Sequence, residues 1–182
     1  MRGSLFKQFA FLLLSLFVTS TAVAQQQSVP TTNVTRTAMK DWSLECLDAA
    51  VDGLKCQAIY TVLFGDDRAP VFVAAIAGRP GQPAQVTMAL PLNIQLRQGL
   101  TIAGENGASV TFPFDRCNPN GCFVERPFTT DLYAIMNGNA SGTASVTRNG
   151  GDEFKIPFSF NGFRDALTAM SQQNAASSGA GN

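Results

Sequence analysis

From Asp41 to Ser159 the chain is a succession of short runs in which apolar and polar residues alternate. A period of two marks a strand with one buried face. "DWSLECL" places Trp42, Leu44 and Cys46 on one face, and "LKCQAIYTVLF" does the same with Cys56, Ala58, Tyr60 and Val62. "VFVAAIA", "QVTMAL", "LTIAG", "SVTFPF", "CFVERPF", "TASVTRN" and "EFKIPFSF" supply further strands. Turn residues part them at Gly53, Gly65-Asp66-Asp67, Pro80-Gly81, Gly104-Glu105-Asn106-Gly107, Asn118-Pro119-Asn120-Gly121 and Asn149-Gly150-Gly151. Short strands at this spacing predict an all-β fold, a sandwich or a barrel-like closure.

One or two short helices complete it. "TTDLYAIMNG" offers Thr130 as N-cap, Asp131 in the first turn, Leu132, Ile135 and Met136 on one face, and Gly138 as the stop. "NGFRDALTAM" offers Asn161 as N-cap and an apolar stripe of Phe163, Ala166, Leu167 and Met170, enough to dock a C-terminal helix on a sheet. A stripe of this kind is a core signal before it is a ligand site.

The ends read differently. "MRGSLFKQFAFLLLSLFVTSTAVA" carries Arg2 and Lys7, an apolar run from Phe9 to Val18, and Ala22-Val23-Ala24 ahead of Gln25. That order is a secretory leader over residues 1–24, cleaved between Ala24 and Gln25. Its apolar run is shorter than the roughly 20 residues of a membrane-spanning helix, so no stable anchor is expected. Residues 25–39 are polar and aperiodic and read as a flexible linker, 40–170 as one β domain, and 171–182 ("SQQNAASSGAGN") as a disordered tail.

The whole chain has 13 basic and 13 acidic residues; loss of Arg2 and Lys7 with the leader leaves a net charge of −2. Nothing in that balance resembles the basic footprint that neutralises phosphates, which argues against nucleic acid as a partner. The four cysteines lie in the mature chain, and export makes disulfides their default state. Asn118-Pro119-Asn120-Gly121 is turn chemistry, with Asn and Gly suited to positive φ after the proline. Set between "SVTFPF" and "CFVERPF", it places Cys117 and Cys122 opposite each other across a hairpin. Cys46 and Cys56 flank "LDAAVDGLK" in the same way. The local pairs Cys46–Cys56 and Cys117–Cys122 are favoured, although four cysteines allow about three connectivities. Chain entropy values the wider loop at about 3 kcal/mol and the tight one at about 2. Spacings of C-x9-C and C-x4-C suit neither a zinc site nor a helix-start redox pair.

Histidine is absent, which removes imidazole-based nucleophilic catalysis and imidazole metal sites. Acid–base work would fall to carboxylates such as Asp66-Asp67 and Asp152-Glu153, but neighbours in one turn do not face each other across a cleft. A carboxylate hydrolase would have to join distant acids, for example Asp67 with Glu125 or Asp152. No cofactor motif is present: "GENGAS" and "MNGNASG" match no phosphate-binding loop. Ten phenylalanines remain in the mature chain and read first as core; Phe64 and Phe128 stand at strand ends, where an exposed apolar patch would form.

The order of landmarks — "WSLEC", a second cysteine ten residues on, "LPLNIQLRQGL", "CNPNGC" and the closing "IPFSFNGFRDAL" — resembles the bacterial invasion-associated locus B family over about Asp41 to Met170. Asn93 departs from the glycine that members often carry. The resemblance implies a periplasmic or surface-exported protein of Gram-negative bacteria with a β-rich, disulfide-bonded fold. It brings no catalytic residue, and its name does not transfer a role in host-cell entry, since free-living bacteria have members too. The expectation is a non-enzymatic envelope protein that binds an envelope or host-surface protein or glycan. A carboxylate-based envelope hydrolase and a thiol–disulfide exchange protein are the alternatives.

Overall fold

The computed structural model describes residues 33–179, with side chains as far as Ser177. The leader, its cleavage point at Ala24–Gln25 and the polar stretch to residue 32 lie outside the described residues. In chain order come β1 (Val34–Met39), β2 (Trp42–Val51), β3 (Leu54–Phe64), β4 (Ala69–Ala77) and β5 (Gln85–Leu90). After a 3-10 turn at Leu96–Gln98 follow β6 (Leu100–Gly104), β7 (Ser109–Phe112), β8 (Arg116–Asn118), β9 (Gly121–Pro127), α1 (Thr130–Gly138), β10 (Ser141–Thr147), β11 (Glu153–Ser159) and α2 (Phe163–Gly179).

All pairings are antiparallel and build two sheets, β1-β2-β3-β4-β5-β9-β8 and β11-β10-β6-β7. One core unites them. From the large sheet come Trp42, Ala58, Phe72, Ile76, Met88 and Val124; from the small one Leu100, Ile102, Ala144, Ile156 and Phe158. Alternation along each strand produces this, as the sequence pattern predicts. Trp42 is fully buried, its ring centroid 5.4 Å from Phe163, 5.5 Å from Tyr60 and 6.0 Å from Phe158. Its indole N–H donates to the Ser159 carbonyl at 3.0 Å, so the polar atom costs nothing in burial.

Several expectations need correction. Residues 34–39 are not linker but the edge strand β1, paired with β2 from Val34↔Leu47 to Met39↔Trp42. Five of its six residues are exposed, so there was no apolar alternation to read; backbone pairing alone marks it. The tail from 171 is helical to Gly179, because the docking stripe continues past Met170 to Asn174. Thr129, not Thr130, caps α1, its hydroxyl accepting the Leu132 N–H at 3.3 Å. Asn161 does not cap α2; its side-chain amide reaches Asp41 at 3.4 Å, and Gly162 makes the turn at φ +88. "SVTFPF" is not the hairpin partner of "CFVERPF": β7 pairs with β6 in the small sheet, and the short β8 pairs with β9. The crossing between sheets is pinned by Asp115. Its amide donates to Phe123 O at 2.8 Å, and its carboxylate accepts the Glu125 N–H at 2.7 Å and pairs with Arg126 at 2.7 Å.

Candidate interaction surface

Both favoured disulfides form. Cys46 stands opposite Cys56 with Cα atoms 4.1 Å apart, and Cys117 opposite Cys122 at 4.0 Å. All four thiols are consumed, so a zinc site has no thiolates to use. The first bridge closes the last regular pair before β2 loses register with β3: five steps from Cys46 to Val51 oppose two from Cys56 to Leu54. Asp52 and Gly53 turn that hairpin with φ of +51 and +76, the conformation of a two-residue type I′ turn. In the second hairpin the Asn118 side chain accepts the Asn120 N–H at 2.8 Å. Positive φ falls on Gly121 and not on Asn120.

The first bridge faces inward beneath α2. Leu44, Cys56 and Met170 form a buried cluster, with Cys46, Leu167 and Ala169 packed on it. Beside them lies Asn174, the one buried polar side chain of the described residues, at 1 % exposure. Its Oδ1 accepts the Cys56 N–H at 2.7 Å and the Lys55 N–H at 3.1 Å, and its Nδ2 donates to Cys56 O and Gly78 O, both at 2.9 Å. Sequence reading placed Asn174 in a tail and missed it. Its signal was the spacing Met170 to Asn174, one more i, i+4 step of the stripe.

The carboxylates do not converge. Asp66 and Asp67 occupy the β3–β4 tip, where Asp67 accepts the Ala69 N–H at 3.4 Å. Glu125 pairs with Arg116 at 2.6 Å, Asp152 with Arg148 at 3.4 Å, and Glu153 with Lys155 at 3.2 Å. Five depressions formed by the described residues hold at most one carboxylate each: Asp165 in one, Glu45 in another, none in the other three. No group of three or more His, Cys, Asp or Glu side chains gathers among the described residues. Hydrogen bonding to Glu125 raises the Arg116 pKa, which reinforces a charge the guanidinium carries anyway.

What distinguishes the surface is the contrast between the outer faces of the two sheets. On the small sheet that face is hydroxyl-rich: Thr101 lies opposite Thr111 and Ser145, and Thr143 opposite Ala103. The Thr101 and Thr111 hydroxyls hydrogen-bond at 2.8 Å. On the large sheet it is aliphatic at the centre. Ser43, Ile59, Ala75 and Thr87 align across four strands, and Thr61, Val73, Ala89, Phe123 and Arg116 across five. Ile59, Val73, Ala75, Ala89 and Phe123 are half-buried. Ion pairs flank them, Arg36–Glu45 on one edge and Arg116–Glu125 on the other, with Arg116 lying over the Phe123 ring at 4.3 Å.

This face runs on to a bare tip. Leu63 carries it there with 41 % exposure and Pro70 as cross-strand partner, while Phe64, 69 % exposed, follows Tyr60 and Val62 on the other side of the strand. Pro70, Val73, Ala89, Pro91, Leu92 and Pro119 line a shallow depression of about 320 Å³ beside it. Asn93, in the adjoining loop, has φ +71, a conformation that glycine adopts freely and asparagine best among the rest. Its departure from glycine therefore leaves the loop intact. Phe128, the other strand-end phenylalanine, is half-buried and packs on Phe163 and Tyr133 with centroids 6.0 and 6.3 Å apart.

The model of the invasion associated locus B (IalB) protein family matches residues 42–171. The chain belongs to that family. Its fold is shared with the crystal structure of invasion associated protein B from Bartonella henselae at a TM-score of 0.66. Sequence identity to that structure is 16 %, with 78 % of this chain and 99 % of the other covered. Among curated proteins none matches. The expected all-β fold with a C-terminal helix is thus present, as two antiparallel sheets. No helix of the described residues is long and apolar enough to cross a membrane.

Proposed function

We propose that this IalB-family chain is an exported envelope protein that acts by binding another protein rather than by catalysis, using the outer face of its large sheet. The observation that carries the reading is the contrast between the two outer faces. One carries a row of hydroxyls at its centre; the other has an aliphatic centre that ends in the exposed Leu63. An apolar centre rimmed by polar pairs is the anatomy of a protein–protein interface. The centre offers no cluster of cations for an anionic polymer and no row of exposed rings on which a sugar would stack, which favours a protein over a glycan. Export is supported by the leader pattern and by two cystines, which persist in oxidising compartments. A hydrolase would need two carboxylates in one cleft, and thiol exchange a cysteine at a helix start; the geometry supports neither.

The test is retention of envelope-extract components on immobilised mature protein, compared with a Leu63→Asp/Val73→Asp variant. The reading expects a defined protein that the variant loses by about thirtyfold, as for a hot spot worth ~2 kcal/mol, and that prior proteinase treatment of the extract removes. Equal retention by the variant, or a retained species that survives proteinase, contradicts it.

A further inference from the structure

Three features meet at Asn174. The first is the pairing of Cys46 with Cys56. At a Cα separation of 4.1 Å they occupy a close, non-hydrogen-bonded position of the ladder, in which N–H and C=O turn away from the opposite strand. The Cys56 backbone groups therefore face the β4 side. There β4 leaves the ladder after Ala77, opposite Gln57. The second feature is the replacement. The Asn174 amide takes the Cys56 N–H and C=O together and ties them to Gly78 O, where the next β4 residue would have paired.

The third feature is what else that stretch of α2 does. Leu167 and Met170 pack on the cystine, in which Cys56 is 1 % exposed and Cys46 half-buried. Leu167, Met170, Ser171, Asn174 and Ala175 also form one wall of a groove of about 580 Å³. Phe128, Tyr133 and the loop from Gly78 to Ala84 make the opposing walls. The second disulfide has no helix over it: Cys122 is buried, but Cys117 is exposed on the edge strand β8.

We propose that α2 is a redox-linked cover: its docking shields the Cys46–Cys56 disulfide from reductants, and the intact disulfide holds α2 as the groove wall. A dithiol is the reductant class concerned. Its thiolate attacks one sulfur of the cystine to give a mixed disulfide, and its second thiol resolves this. Two electrons and two protons end on Cys46 and Cys56, and the dithiol leaves as a disulfide. Attack requires an approach to sulfur that the packed Leu167 and Met170 side chains occupy. Linkage makes the effect reciprocal, so opening the disulfide releases the segment from Leu167 to Ser177 and widens the groove.

The test is timed reduction of the full mature chain by dithiothreitol, with alkylation and mass-spectrometric mapping of both cysteine pairs. In the wild type Cys117–Cys122 opens first, and Cys46–Cys56 is slower by about tenfold or more, since it must await local opening of the helix. Asn174→Ala and the milder Leu167→Ala each speed opening of Cys46–Cys56 by about fivefold or more and leave Cys117–Cys122 unchanged. In the reverse arm, a Cys46→Ser/Cys56→Ser variant shows faster amide exchange in 167–177 with β6 and β10 unchanged. Equal reduction of both pairs in the wild type overturns the proposal. So does an unchanged Cys46–Cys56 rate in both helix variants, or faster exchange spread evenly through the domain.

Discussion

Gly162 lets the chain turn from β11 into α2 against the backbone of Met39. Its φ is +88, and a methyl group built there would overlap the Met39 carbonyl oxygen. Gly162→Ala therefore meets both backbone strain and a steric clash with main chain, which does not yield as a side chain would. The expected loss is about 2 kcal/mol or more in urea unfolding, with Tm lower by about 5 °C; an unchanged midpoint would show that the turn relaxes freely. The sequence reads Asn161 as a helix cap, but the partner that makes the glycine after it obligatory lies at the other end of the domain. Asn174 illustrates the same limit. An amide among alanines, serines and glutamines looks like tail until the topology brings Cys56 and Gly78 to it. The cysteine pairs were legible for the opposite reason. Each is local, and the turn chemistry between its members sets them face to face.

The strands with a buried face were found to within about two residues, except that β2 runs on past Leu47 to Val51, since alternation is set by which side meets the core. Elements without such a face were not. β1 lies on the sheet edge with its side chains in water, and β8 has three residues. The sheet to which β7 belongs was also misjudged, because sequence adjacency to the Asn118–Gly121 turn does not show where the chain crosses between sheets. The C-terminal element offers the sharpest contrast. A disordered tail would be removed at no cost, whereas α2 carries its lock at Asn174. Deleting residues 171–182 is expected to cost about 3 kcal/mol, the penalty of leaving several buried backbone groups of Lys55, Cys56 and Gly78 without partners. Urea titration checks this, and the fluorescence of Trp42, the single tryptophan of the chain, reports the core directly. A truncated protein with an unaltered midpoint would refute the lock.

The domain taken together separates stability from display. The aromatic cluster around Trp42, the two cystines and the Asn174 contacts hold the frame, while one outer face stays aliphatic and uncovered. Charges on the rim, Arg36–Glu45 and Arg116–Glu125, are surface ion pairs that add little to folding and serve better to orient a partner. The fold class and the absence of imidazole chemistry were readable from the chain, but which sheet face stays bare depends on how the sheets pack. The most direct measurement is site-specific photocrosslinking in intact cells, with a benzophenone amino acid placed at Val73 on the aliphatic face or at Thr111 on the hydroxyl-rich one. The account predicts a discrete protein adduct from Val73 and none from Thr111; adducts from Thr111 alone, or from neither position, would contradict it.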